Sequence, residues 1–117
     1  MSPIPESIIL HQQSKVLELI YAGERSYRLS FEFLRVHSPS AEVQGHGPGQ
    51  QVLQTGKRSV GIQSLEQVGN YALRPVFTDG HDSGLYSWDL LYRFTQTQQA
   101  MWDDYLQRLE AAGASRD

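Results

Sequence analysis

Lys15-Val16-Leu17-Glu18-Leu19-Ile20-Tyr21, then Ala22-Gly23-Glu24-Arg25, then Ser26-Tyr27-Arg28-Leu29, is the stretch that decides the fold. In a strand, successive side chains point to opposite faces. Leu17, Leu19 and Tyr21 therefore share one face, and Val16, Glu18 and Ile20 share the other. β-branched and aromatic residues dominate the run, as strands prefer. The Ala22–Arg25 segment is a turn, and Tyr27 and Leu29 return to the core side, so the unit is a β-hairpin. Glu6 to His11, behind the prolines Pro3 and Pro5, predicts a further short strand.

Outward from the hairpin, Ser30 is placed as the N-cap of a short helix. Its hydroxyl can accept a free backbone N–H, and Glu32 puts negative charge in the first turn. Pro39 follows soon enough to keep that helix short. His37 to Gly56 then carries Pro39, Gly45, Gly47, Pro48, Gly49 and Gly56, which predicts a long irregular loop anchored by Val43, Val52 and Leu53. A second β block is expected at Arg58–Leu65 and Tyr71–Phe77, with the turn Gln67-Val68-Gly69-Asn70 between them. Pro75 lacks a ladder donor, so that strand is expected at an edge, or paired on one side only at that point. Asp79-Gly80 signals a tight turn, with His81–Tyr86 returning as a strand.

The C-terminal part reads as helical. Ser87 caps a helix from Trp88 to about Phe94, and Thr95-Gln96-Thr97-Gln98 is expected to break it. A second helix over about 96–112 places Met101, Trp102, Tyr105, Leu106, Leu109 and Ala112 on one stripe. Gly113 ends it, and Ser115-Arg116-Asp117 is expected to fray. The fold class is α+β: an antiparallel β-sheet with a short mid-chain helix and two C-terminal helices. At 117 residues the chain is one domain, 1–117, with its core at about 6–94.

Composition narrows the function. Without cysteine the chain can build no disulfide scaffold, no cluster on its own thiolates and no thiol nucleophile. A net charge of −3 argues against a nucleic-acid partner. No basic leader or long apolar run appears, so no membrane association is expected and the cytoplasm is the expected compartment. Gly45-His46-Gly47-Pro48-Gly49-Gln50 lacks the Lys-Ser/Thr end of a phosphate loop. No nucleophile elbow surrounds any serine, and enzyme activity is not expected. The helical aromatics Trp88, Tyr92, Trp102 and Tyr105 are expected in the core. His37, His46 and His81, with Asp79 and Asp82, could surround a divalent metal, but no short ligand spacing supports that over polar turn residues.

Three runs resemble one family. They are Phe33-Leu34-Arg35-Val36-His37-Ser38-Pro39-Ser40-Ala41-Glu42-Val43-Gln44-Gly45-His46-Gly47, Val68-Gly69-Asn70-Tyr71-Ala72-Leu73, and Asp79-Gly80-His81-Asp82-Ser83-Gly84-Leu85-Tyr86-Ser87-Trp88. Together they are similar to the gamma-butyrobetaine hydroxylase-like N-terminal domains, in particular to small stand-alone bacterial members long described as a domain of unknown function. The resemblance covers roughly residues 6–94. It implies a domain that rides on iron- and 2-oxoglutarate-dependent hydroxylases, or on ATP-dependent iron–sulfur carriers. It does not carry hydroxylase activity, which belongs to a separate and longer catalytic domain.

The hydroxylase version holds a structural zinc through Cys-x-Cys-x-x-Cys and a later histidine. Those positions read Ser38, Ser40 and Val43 here, with His81 kept. Two hydroxyls and a valine are poor zinc ligands, so zinc is not expected. Hydrogen bonds from Ser38 and Ser40, with Val43 packing, are expected to close that corner instead. The leading expectation is an accessory domain that binds another protein. Its contact surface would be His37, Ser38, Ser40, Gly45, His46, Gly47, Asp79, Gly80 and His81. The alternative is metal handling, with iron or an iron–sulfur partner, through His81, His37, His46, Asp79 and Asp82.

Overall fold

A computed structural model describes residues 2–117. Two three-stranded antiparallel sheets share one core. Sheet A has the order β1(Ser7–His11)–β2(Val16–Tyr21)–β3(Arg25–Ser30). Leu17 lies opposite Leu10 and Leu29, and Leu19 opposite Ile8 and Tyr27, so the apolar residues of all three strands meet on one face. The burial of β2 alternates as its period-two pattern predicts, with Leu17, Leu19 and Tyr21 at 1% exposure or less.

Sheet B has the order β4(Ile62–Val68)–β5(Ala72–Phe77)–β6(Tyr86–Ser87). Pro75 pairs with Leu65 on the β4 side, while β6 reaches only Ala72 and Leu73 on the other. The strand is thus one-sided at its proline, where no donor is needed. The core cluster joins β2 and β3 to Phe31, Phe33 and Leu34 of α1(Phe31–Val36), to Ile62, Leu73 and Phe77 of sheet B, and to Leu91 and Phe94 of α3(Trp88–Ala111).

Serines start all three helices. Ser30 Oγ accepts from Phe33 N, Ser40 Oγ from Glu42 N at the head of α2(Ala41–Gln44), and Ser87 Oγ from Leu90 N. Such a cap is worth about 1 kcal/mol. Gly113 has φ +64° just past Ala112, the left-handed position that closes a helix C-terminus.

Four expectations are corrected. The two C-terminal helices are one continuous helix, α3. Thr95 Oγ1 donates to Tyr92 O at 2.6 Å and Thr97 Oγ1 to Arg93 O at 2.8 Å. Hydroxyls bonded back into their own helix leave the ladder intact instead of capping a new one. The strand expected at His81–Tyr86 shrinks to Tyr86–Ser87, because residues 81–84 spend their polar groups on side-chain contacts described below. The long loop contains a helical turn, α2, capped by Ser40.

The tail, finally, is tied down. Gly56 N donates to Ser115 O and Arg58 N to Arg116 O, both at 3.0 Å. Arg116 also grips the buried Glu32 carboxylate at 2.6 and 2.8 Å and lies over Trp102. Among the described residues no helix is long and apolar enough to cross a membrane.

Candidate functional site

Ser38 sits just past α1, Ser40 caps α2, and His81 follows the tight turn after β5. The fold brings these three together. Ser38 Oγ lies 2.8 Å from His81 Nε2, with Ser38 at 0% and His81 at 5% exposure. On the other side of the ring, Nδ1 lies 3.2 Å from Glu42 Oε2. A carboxylate only accepts, so in the neutral imidazole Nδ1 carries the proton and Nε2 accepts from the Ser38 hydroxyl. Ser38 Oγ can then still accept Ser40 N–H, at 3.2 Å. Ser40 Oγ meets Ser83 Oγ at 2.6 Å, and Ser83 Oγ donates to Glu42 Oε1 at 3.2 Å. The donors and acceptors close on themselves.

Packing seals this corner. Tyr86 is buried with its hydroxyl donating to Leu34 O. Burial pushes the Tyr86 hydroxyl pKa well up. A Cβ on Gly84 would stand 2.6 Å from Ser38 Oγ, so only glycine lets the loop approach the serine. Gln44 Nε2 donates to Ser38 O at 2.8 Å.

Beside the ring, Asp79 fixes the turn that carries it. Oδ2 accepts from Arg35 Nε and Lys57 Nζ, both at 2.9 Å, and Oδ1 accepts from His81 N at 3.3 Å. Partial burial pushes the Asp79 carboxyl up, but the Lys57 and Arg35 hydrogen bonds outweigh it and hold the pKa at about 2. Arg35 Nη1 also donates to Gln54 Oε1 at 3.0 Å, and Tyr105 donates its hydroxyl to Gln54 O at 2.7 Å. The Gly-rich segment is pinned from both sides at Gln54. Further up that segment, Val52 N donates to Val43 O at 2.7 Å.

The other candidates lie apart. His37 points its Nδ1 at Phe33 O, 2.9 Å away, and packs against the Phe33 ring. His46 is exposed on the loop, and Asp82 pairs with Arg74 at 3.3 Å. No group of three His, Asp or Glu side chains that could hold a metal ion forms among the described residues. Of the expected contact surface, His46 and Gly80 are exposed, Gly45 and Gly47 are half-buried, and Ser38, Ser40 and His81 lie beneath. Sequence reasoning missed Glu42, Ser83, Arg35, Lys57 and Gln54. Glu42 and His81 are 39 positions apart, and no periodicity links them.

Chemically, the corner offers the hydroxyls of Ser38, Ser40 and Ser83, one imidazole and the single carboxylate of Glu42, so only two of its groups are zinc ligands. That donor set does not fit tetrahedral zinc, which takes thiolate, imidazole or carboxylate. The order Ser38–His81–Glu42 has the connectivity of a nucleophilic relay. Its serine oxygen, however, has no exposed surface and lies under Gly84, where no substrate carbonyl can reach.

The fold and corner define a small α+β domain whose two connecting loops are clamped by a buried serine–histidine relay. The chain belongs to the gamma-butyrobetaine hydroxylase-like N-terminal family, whose family model matches residues 8–92. It is similar to a protein with a solution NMR structure, at 56% identity and a TM-score of 0.88, covering 100% of this chain and 92% of that one. A second NMR structure is 48% identical with a TM-score of 0.83, covering 98% of this chain and 86% of that one. The crystal structure of a protein of unknown function from Acidithiobacillus ferrooxidans, in the DUF971 family, is 35% identical. Its TM-score is 0.65, over 78% of this chain and 91% of that one. A search of curated proteins finds no match.

Proposed function

We propose that the chain is a non-catalytic interaction domain that presents the Gly-rich segment and the 79–85 loop to another protein. The supporting observation is the closed relay. It holds two loops, 43 residues apart at Ser38 and His81, in one geometry. Its serine and histidine face inward, and the loops' outer surface keeps apolar side chains exposed, Val52 at 54% and Leu85 at 43%. A surface that is fixed before it meets its partner loses little conformational entropy on binding. Exposed apolar side chains set among polar ones suit a protein partner.

The test uses a photocrosslinking amino acid placed singly at Val52, Leu85 or Ile9 in the full chain, in its cell of origin. Ile9 is an exposed apolar residue of sheet A and serves as the control. One protein captured from Val52 and Leu85 but not from Ile9 is the expected result. The same pattern from all three sites, or no product from the two loop sites, refutes the proposal.

A further inference from the structure

Residues 114–117 follow α3 and turn back along the domain at Gly113, whose φ of +64° has open space where a side chain would stand. What holds them has the form of a bound peptide. Ser115 O and Arg116 O accept from the backbone N–H groups of Gly56 and Arg58, both at 3.0 Å. The Arg116 guanidinium donates to both oxygens of Glu32, at 2.6 and 2.8 Å, and its Cζ stands 5.1 Å from the centre of the Trp102 ring. Asp117 pairs with Arg58 at 2.8 Å. Main-chain bonds plus an anchored side chain are how one protein recognises an extended segment of another.

The receiving half of these contacts has a chemistry of its own. Glu32 is 7% exposed, and its carboxylate oxygens find no partner other than Arg116 among the described residues. A buried carboxylate without a cation is strongly unfavourable. A carboxylate beside an aromatic face selects a guanidinium, which bonds the first bidentately and stacks on the second. The groove opens to water, since Arg116 keeps 31% of its side chain exposed and Arg58 keeps 50%. Ala114 is the one apolar residue of the segment and packs against the cluster of Val36, Tyr105 and Leu109. Beyond it, the segment is held by groups that any Arg-Asp pair in an extended chain carries.

We infer that the groove formed by Glu32, Trp102 and the Gly56–Arg58 backbone is a docking site for an extended segment of another protein bearing an Arg-Asp pair, and that residues 114–117 occupy it in cis. The charges of the groove are matched to that pair, negative at Glu32 and positive at Arg58. The cis segment is a built-in competitor. Its short tether gives it an effective concentration of about millimolar order, so an incoming segment must displace it. The groove shares neither Val52 nor Leu85 with the loop surface, so binding here and capture there fail independently.

The probe is the peptide acetyl-Ala-Ser-Arg-Asp-amide, with acetyl-Ala-Ser-Gln-Asp-amide as the control that lacks the guanidinium. Each is titrated to millimolar concentration into the 15N-labelled full chain, as wild type, Arg116→Gln and Arg116→Ala, and the Trp102 indole is followed by NMR. The Arg peptide is expected to move Trp102 along a saturation curve in both variants. The Gln peptide is expected to bind at least about tenfold more weakly, the scale of one charge-assisted hydrogen bond. Adding Glu32→Gln to Arg116→Gln is expected to cost the Arg peptide a similar factor. In wild type, which needs no substitution to fold, the Arg peptide is expected to bind about tenfold more weakly than in Arg116→Gln, moving the Arg116 Nε signal as the cis segment leaves. Silence at Trp102, equal binding of the two peptides, or equal binding to wild type and Arg116→Gln overturns the inference. If unlabelled Glu32→Gln chain, whose own Arg116 has lost its partner, moves Trp102 of labelled Arg116→Gln as the peptide does, the occupant is a second copy, and the assignment to another protein is overturned.

Discussion

Ser38→Ala removes one oxygen from the interior and tests whether the relay holds the corner. In the folded protein that oxygen is the partner of His81 Nε2 at 2.8 Å and the acceptor for Ser40 N–H at 3.2 Å. Ser38 is fully buried and the His81 side chain is 2% exposed, so water cannot replace the lost hydroxyl without opening the loop. Leaving one buried polar group unpaired costs about 1–3 kcal/mol, and a central value of about 2 kcal/mol suits a single ring nitrogen. For a domain of this size each kcal/mol moves Tm by about 3–6 °C, which gives a fall of about 9 °C. Ser83→Ala is the matched control. It deletes a hydroxyl from the same network, but at an exposed residue, and should stay within about 0.5 kcal/mol of wild type.

Thermal unfolding followed by circular dichroism reads both variants, with 15N spectra of the imidazoles reporting the tautomer. The proton on His81 Nδ1, facing Glu42, should remain in Ser83→Ala. If Ser38→Ala melts with Ser83→Ala, the reasoning fails. The corner would then be held by the Gln44 bond to the Ser38 carbonyl and by the Glu42 contact with His81, which the substitution leaves in place.

Four further outcomes are expected. Arg116→Ala strips a buried carboxylate of its partner; because Arg116 is itself partly exposed, the loss of stability by denaturant titration should be about 1–3 kcal/mol, with a change in Trp102 fluorescence. The Asp79 carboxyl is held below its ordinary value of 3.8, at about 2, so its stabilising contribution is present above about 4 and is lost as pH falls towards 2. Acid unfolding of Asp79→Asn should lack that step. The buried Tyr21 hydroxyl has no partner among the described residues, so Tyr21→Phe should leave Tm unchanged or raise it. Ser38→Cys, Ser40→Cys and Val43→Cys combined put thiols at the three positions that the resemblance gives as zinc ligands beside His81; one equivalent of Co(II) should give the absorption of tetrahedral thiolate ligation, and wild type should give none.

Much of the fold follows from local pattern. Leu17, Leu19 and Tyr21 are buried because the period of a strand puts them on one face, and that face has no other place to go. Ser30, Ser87 and Gly113 mark helix ends because a free N–H or an orphan carbonyl there demands a particular side chain or φ. The long helix α3 was obscured at Thr95 and Thr97, since a threonine can either cap a helix or bond back into it, and only the packed structure selects. The tail was obscured for a different reason. Arg116 is held by Glu32, 84 positions away, and a charge reads as solvated until its partner is known.

The site divides in the same way. The resemblance points to Ser38, Ser40, Val43 and His81; the fold joins Ser38, Ser40 and His81 in one hydrogen-bonded corner and buries Val43 in α2. Glu42 carries no mark in the sequence as the residue that orients His81, because one carboxylate in a first helical turn is ordinary. Asp79 reads as a turn residue. Its role as the joint between Arg35, Lys57 and the His81 backbone needs three chain segments in place at once.

How the corner stays closed is a question of magnitude. A structural zinc in a small domain contributes about 10–16 kcal/mol of apparent binding energy, and all of it depends on four ligands acting together. A typical hydrogen bond contributes about 1 kcal/mol net. The bonds among Ser38, Ser40, Glu42, His81 and Ser83 therefore cannot match a metal by number alone. What the fold adds is independent fastening. Gly84 admits close backbone approach, Tyr86 bonds the Leu34 carbonyl from below, and Asp79 ties the turn to Arg35 and Lys57. Each survives the loss of the others, so stability at this corner should fall in steps as contacts are deleted. A metal-built corner would instead fail at once when any ligand is removed. That difference in response, graded against all-or-none, separates a surface held by distributed packing from one organised around a single ion.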